Sequence, residues 1–430
     1  MARIVSFIVG VVLVLWVALA CVAQPPGKGP PGKGPPGKGG PPGKGGMSQQ
    51  PAHPEDKANF GDGKENPEPA TPAGLTHLGG RWYLRNGTPK VYIYRDADRF
   101  IEPFGNIGDS NKDGIPDLIV SHDDKFIILD SQNLPNHPHA PFPNSGNPNS
   151  VLAQKMQFKL PIIPRKAESI TRVPMGPIGV AINGVVFFNP FEAGGMNAVQ
   201  GYRSEWLDSC CGHPQQHGVY HYHKYPSCVK SPFPDDGKQH SPPIGFAWDG
   251  YPVYGPYESD GIMAKDLIGD KKLDVCNGHF DAERGYHYHV TPEKFPYVIG
   301  GYAGVAERSN GRGIGRDPVG AIRDNAEGVS RFDQSLKVSP EVIGRGKTVT
   351  LRISLLQGAS RAPATVPDRV VLGPYVASSI KKQGNEIVVE LNLPKDAACC
   401  KYDMHLEYRT GGARGPTVVK QNEAVKVCPE

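Results

Sequence analysis

The densest chemistry in this chain is histidine at fixed spacing. Gly212-His213 is followed by Tyr220-His221-Tyr222-His223, and Gly278-His279 stands in the same relation to Tyr286-His287-Tyr288-His289. Strict alternation suits a β-strand, in which residues two apart share a face. His221 and His223 then point one way and Tyr220 and Tyr222 the other, and His287 and His289 oppose Tyr286 and Tyr288 in the same manner. His213 and His279, beside their glycines, are expected in tight loops returning to these strands. Two adjacent imidazoles plus a third form a geometry that zinc and copper sites use, with a coordination position left open for water or substrate. All-imidazole ligation favours Zn, Cu, Ni or Fe over Mg or Ca. His213, His221, His223, His279, His287 and His289 are thus the candidate metal ligands. Asp208 and Asp274, a few residues upstream, are candidates either for general bases or for acceptors that fix the histidine tautomers. The bland alternative is a polar core in which the rings only pack and hydrogen-bond. Six histidines in register, with His137 and His139 besides, favour metal.

These histidines belong to a longer repetition. Residues 177–190 align without gaps with 243–256 at an offset of 66, and the same offset maps 207–223 onto 273–289. Fifteen of these 31 positions are identical, where chance would give about two. The reading is a tandem pair of 66-residue units. Asn183-Gly184 and Asp249-Gly250, flanked by apolar or aromatic residues, predict that each unit opens with a hairpin whose two turn positions have positive φ.

Leu-Asp-x-Cys-x-Gly-His followed by Tyr-His-Tyr-His, twice, with Pro292-Glu293-Lys294-Phe295-Pro296-Tyr297 after the second copy, resembles the YHYH domain family of secreted, mostly bacterial proteins. Asn133-Leu134-Pro135-Asn136-His137, Asn147-Pro148-Asn149 and Gly179–Val185 share the likeness, which covers residues 125–310. The family has no established biochemical function, so the resemblance names a domain and not a task. Gly301 stands where many members are expected to carry a cysteine, and Cys211 is correspondingly extra.

The remaining segments set the context. Arg3, an apolar run from Ile4 to Ala20 and small residues after it have the layout of a secretory signal over 1–23, with Cys21 as a candidate lipid anchor. Pro-Pro-Gly-Lys-Gly repeats at a period of five, and the whole of 24–75 reads as a disordered, solvated tether. Asp109, Asn111, Asp113, Ile115 (through its carbonyl) and Asp117 place oxygens as a calcium loop does. With the short strands after it, the loop resembles those of FG-GAP-type and thrombospondin-type-3 repeats, and the calcium it implies is structural. Residues 76–310 form the YHYH domain with this loop segment, 311–338 a linker, and 339–430, with alternating strands at 349–355, 387–393 and 402–408, resemble an Ig-like β-sandwich. The fold class is mainly β. His405 reads as a strand-face residue.

Eight cysteines suit an oxidising compartment. Among Cys210, Cys211, Cys228 and Cys276 three pairings are open; symmetry suits Cys210 with Cys276 and Cys211 with Cys228, and thiolate ligation of the metal is the rival reading. One of Cys399 and Cys400 is expected to bridge to Cys428. Glycine and proline number 53 and 44, hydrophobic residues are 38% and the net charge is +4, which argues against coiled coils, multi-span membrane proteins and nucleic-acid binding. No serine-hydrolase elbow, phosphate loop, His-Glu-x-x-His helix or dinucleotide fingerprint is present. The sequence therefore predicts an exported metal-binding protein, a metal-dependent (Zn or Cu) enzyme on an extracellular substrate. The alternatives are a non-catalytic metal-buffering protein and a calcium-stabilised adhesion or scaffold protein.

Overall fold

A computed structural model describes residues 57–428 apart from 95–98, 106, 193–194, 202, 232–234, 317–323, 327–335, 357–364 and 413–414. The signal segment, Cys21 and residues 24–56 of the expected tether lie outside the described residues, as does most of the expected linker. Among the described residues the chain is mainly β, its helices being single 3-10 turns.

The histidines sit on one eight-stranded sheet. Its strands are β1 (Pro177–Ala181), β2 (Val186–Phe188), β3 (Gly212–Pro214), β4 (Tyr220–Tyr222), β5 (Pro243–Ala247), β6 (Pro252–Tyr254), β7 (Gly278–Asp281) and β8 (Gly285–His289), in the order β3-β4-β2-β1-β5-β6-β8-β7. Strands 66 positions apart therefore occupy equivalent places on either side of the central pair. β1 and β5 pair antiparallel there, Gly179 opposite Ala247 and Ala181 opposite Gly245. Both glycines are needed for that approach, since a Cβ at Gly179 would run into the Phe246 carbonyl and one at Gly245 into that of Val180. β2 with β4, and β6 with β8, run parallel.

The hairpins form, but not with the expected turn. Gly184 and Gly250 have φ of +86° and +85°, whereas Asn183 and Asp249 do not share it. The Gly184 N–H bonds the Ala181 carbonyl at 2.9 Å and the Ala181 N–H bonds that of Val185 at 2.8 Å, and Ala247, Gly250 and Tyr251 repeat the pattern. This is a three-residue connection closed by a left-handed glycine. It frees Asn183 and Asp249 for another task.

One further correction concerns where the body begins. Residues 57–66 do not belong to a solvated tether: Phe60 stacks on Tyr286 at 4.4 Å, the Asn59 N–H bonds Asp274 at 2.8 Å, and the Asn59 side-chain amide bonds the carbonyls of Asp270 and Lys272. A single aromatic anchor was masked by the polar, proline-rich composition around it. At the other end lie a four-stranded antiparallel sheet (Leu336–Ser339, Thr348–Leu355, Glu386–Asn392, Ser379–Gln383) and a five-stranded one that includes Lys401–Gly412 and Gly415–Cys428. Apolar residues of both, Leu351 and Val389 with Leu406 and Val427, share one core cluster. These strands also grip the eight-stranded sheet: the Asp403 carboxylate lies 2.9 Å from Lys224 and 3.1 Å from Lys420, all largely buried. Burial opposes its charge, but the lysines outweigh that and hold it down to about 2. The strands Leu118–His122, Phe126–Ser131 and Met156–Pro161 form the sheet that follows the expected calcium loop.

Candidate metal centre

Each residue of the repeated motif has one job in the structure. Asp208 accepts the Tyr220 hydroxyl at 2.8 Å and the N–H groups of Cys210 and Gly212; Asp274 accepts the Tyr286 hydroxyl at 2.8 Å and the N–H groups of Cys276 and Gly278. The glycine of the motif makes room for that tyrosine, because a Cβ at Gly212 or Gly278 would collide with the phenol. The second tyrosine reaches the hairpin: Asn183 donates to the Tyr222 hydroxyl at 3.0 Å, and Asp249 accepts that of Tyr288 at 2.5 Å. All four tyrosines are core residues. Asp208 and Asp274 thus order the loop and its tyrosine. Backbone carbonyls instead hold Nδ1 of His221, His223, His279, His287 and His289, while Nδ1 of His213 meets the Asn147 side-chain amide nitrogen at 3.3 Å.

His213 and His279 lie on β3 and β7 rather than in loops, directly across from His221 and His287. Antiparallel pairing puts cross-strand neighbours on one face. The first cluster is His213, His221 and His223, all buried, with ligating nitrogens within 4.8 Å of one another. Nδ1 of His221 meets the Val219 carbonyl at 3.0 Å and Nδ1 of His223 that of Asn189 at 2.8 Å. The two Nε2 atoms are then 3.0 Å apart, and Nε2 of His213 is buried without a hydrogen-bond partner. Burial and the neighbouring histidines push His213 and His221 well below the usual imidazole range. With both Nδ1 atoms committed to carbonyls, the two Nε2 atoms are turned toward each other, an arrangement that a cation between them would satisfy. Glu192 stands 3.4 Å from the His223 Nε2. A cleft of about 560 Å³ opens on this cluster, lined also by Asn147, Asn149, Met175, Phe191 and Gln216.

The second cluster contains two residues that no motif announced. His240, Glu258, His287 and His289 each bring one donor atom within 4.8 Å of the others, and His279 Nε2 stands beside His287 and Glu258. His287 lies 3.3 Å from His240 and 3.2 Å from both His279 and His289; Glu258 Oε1 lies 3.3, 3.0 and 3.0 Å from His240, His279 and His289. All four Nδ1 atoms meet backbone carbonyls, of Ser241, Lys271, Gly285 and Gly255, at 2.7–2.9 Å. Burial lowers His240 to about 3 and His287 to about 4. Burial works against the charge of Glu258 too, but the four imidazoles prevail and keep the carboxyl ionised well below its usual range. A carboxylate ringed by imidazole Nε2 atoms, with the Nδ1 atoms held by carbonyls, is a donor set that a cation can occupy. Glu258 carried a signal that the sequence reading passed over: it lies 66 positions from Glu192.

The other sequence candidates are placed apart. His137 bonds the Tyr222 hydroxyl at 2.6 Å and its nearby sulfurs, Cys210 and Cys228, are joined in a disulfide, so no thiolate is offered there. That bridge overturns the symmetric pairing: both cysteines flank β3 and β4 in one half, with Cα atoms 5.2 Å apart, and Cys211 and Cys276 are not bridged to them. Cys400 is a free buried thiol. Gly301 does lie against Cys276, whose Sγ a Cβ there would meet at 3.1 Å. His405 is buried and bonds Glu407 at 2.8 Å. In the 109–117 loop, Asp109 and Asn111 accept backbone N–H groups of Asp113 and Gly114, Asp113 accepts from Ile115, and Asp117 accepts from Ser110.

Residues 157–267 match the family model described as YHYH protein. The YHYH match contains the first cluster whole, with Glu192, and also His240 and Glu258; His279, His287 and His289 lie beyond it. No curated protein and no solved structure matches the chain.

Proposed function

We propose that this is an exported metal-binding protein of the YHYH type, built on a tandem pair of 66-residue units, whose first cluster is the working site of a metal-dependent enzyme. His213, His221 and His223 hold zinc or copper, and the ion polarises a bound substrate or lowers the pKa of a bound water. The observation that carries this is the pair of His221 and His223 Nε2 atoms 3.0 Å apart with both Nδ1 atoms bonded to carbonyls, beside a cleft large enough for a small molecule. The signal layout supports an extracellular substrate. Calcium at Asp109–Asp117 and an Ig-like C-terminal module belong to the same proposal as structural parts. A non-catalytic, metal-buffering role is favoured by one observation, the further imidazole that His240 adds to the second cluster. The test is elemental analysis of the purified untagged protein and of His221→Ala/His223→Ala. About two equivalents of copper or zinc, one of them lost in a variant with unchanged circular dichroism, is the expected result. No transition metal after reconstitution overturns the proposal.

A further inference from the structure

The two clusters are superimposable in the sequence register, and that register locates a difference between them. His213, His221, His223 and Glu192 correspond to His279, His287, His289 and Glu258 at the offset of 66. For two of the three rings the carbonyls holding Nδ1 correspond as well, Val219 with Gly285 and Asn189 with Gly255; Nδ1 of His213 meets the Asn147 amide nitrogen where that of His279 meets the Lys271 carbonyl. The register persists into the segment before each hairpin, where the Asn189 N–H bonds Gly176 at 3.2 Å and the Gly255 N–H bonds Pro242 at 3.1 Å. Two residues further back, His240 of the second half is answered by Pro174 in the first, which has no donor side chain.

The second cluster is complete without help from solvent. His287 Nε2 and Glu258 Oε1 face each other across it at 3.9 Å, so an ion midway is about 2.0 Å from each, the length of a zinc–nitrogen or zinc–oxygen bond. Neighbouring donors of such an ion lie about 3 Å apart, as the 3.0–3.3 Å spacings do. The first cluster has the same set less one, and beside Pro174 the exposed Met175 lines the cleft.

We infer that the two clusters are one metal site at two stages of completion, and that the coordination position His240 fills in the second is, in the first, a binding position for an outside ligand entering through the cleft. The ligand class is a small polar molecule with a nitrogen or oxygen donor, since amides and carboxylates line the approach. This rests on the reading of both clusters as metal sites.

The probe is imidazole, the head group of the missing histidine, titrated into the cobalt(II)-loaded protein and followed by visible absorption, with metal counted before and after. Two bound ions of which one responds, so that about half of the absorption changes, is the expected result. In His221→Ala/His223→Ala the response disappears while the second ion stays. Pro174→His removes the response, and His240→Ala adds one from the second cluster. Two bound ions that both respond, or neither, overturn the inference and leave the metal reading standing. No bound ion overturns the metal reading itself, and the inference with it. The wild-type titration decides even if a variant does not fold.

Discussion

The two halves of the eight-stranded sheet place three histidines and one glutamate by the same strands and turns, with matching carbonyl acceptors for two of the three rings, yet they differ in closure. In the second half His240 adds a donor and Glu258 lies 3.0 Å from His289; in the first, Glu192 stands off at 3.4 Å and the buried histidines line a cleft. On the proposed reading, the second half is suited to retaining an ion and the first to presenting one. What separates them is a loop residue, not the sheet.

The comparison breaks most visibly if the closed cluster is not a stabilising centre. His287→Ala in the metal-loaded protein is expected to lose one equivalent of metal and more than about 5 kcal/mol of stability, read by denaturant unfolding with and without chelator. An unchanged midpoint would sink the distinction. A second asymmetry lies at the hairpin, where Asn183 of the first half corresponds to Asp249 of the second. Burial pushes Asp249 up to about 6, so the folded form keeps a proton that the unfolded chain releases above about pH 4. Its stabilisation is full below that pH and fades as pH rises through 6. Asp249→Asn should flatten the pH dependence of unfolding between pH 4 and 6, by at most about 3 kcal/mol. An identical slope in the variant would assign that dependence elsewhere.

The Cys210–Cys228 bridge exists in one half only and closes a separation of 18 residues around β3 and β4. Cys210→Ser/Cys228→Ser should cost about 2–3 kcal/mol and weaken metal retention at the first cluster, with the second unaffected; equal loss at both would show that the halves are coupled. His221→Ala is the smallest expected change in stability, about 1 kcal/mol, although it should abolish the first equivalent of metal. A cost matching that of His287→Ala would erase the contrast.

The histidine triads were legible because alternation on a strand and recurrence at a fixed offset are visible in one dimension. The loop role of Asp208 and Asp274 was not, since their partners Tyr220 and Tyr286 lie 12 positions away and either role fits an aspartate near a histidine. His240 stood alone without spacing, and only the sheet order brings it to β8. The disulfide escaped symmetry because Cys228 has no counterpart in the second half, and the packed segment 57–66 escaped composition because one phenylalanine decides it. The mainly β character and the strands after the 109–117 loop followed directly from apolar alternation and turn residues.

Asn59 fastens the incoming chain to Asp270, Lys272 and Asp274, the stretch that leads into His279. Any traction applied from the N-terminal side enters the body at that stretch, one strand from the five-donor cluster. If an ion fills that cluster as proposed, its loss would loosen the point where the chain enters as well as the fold.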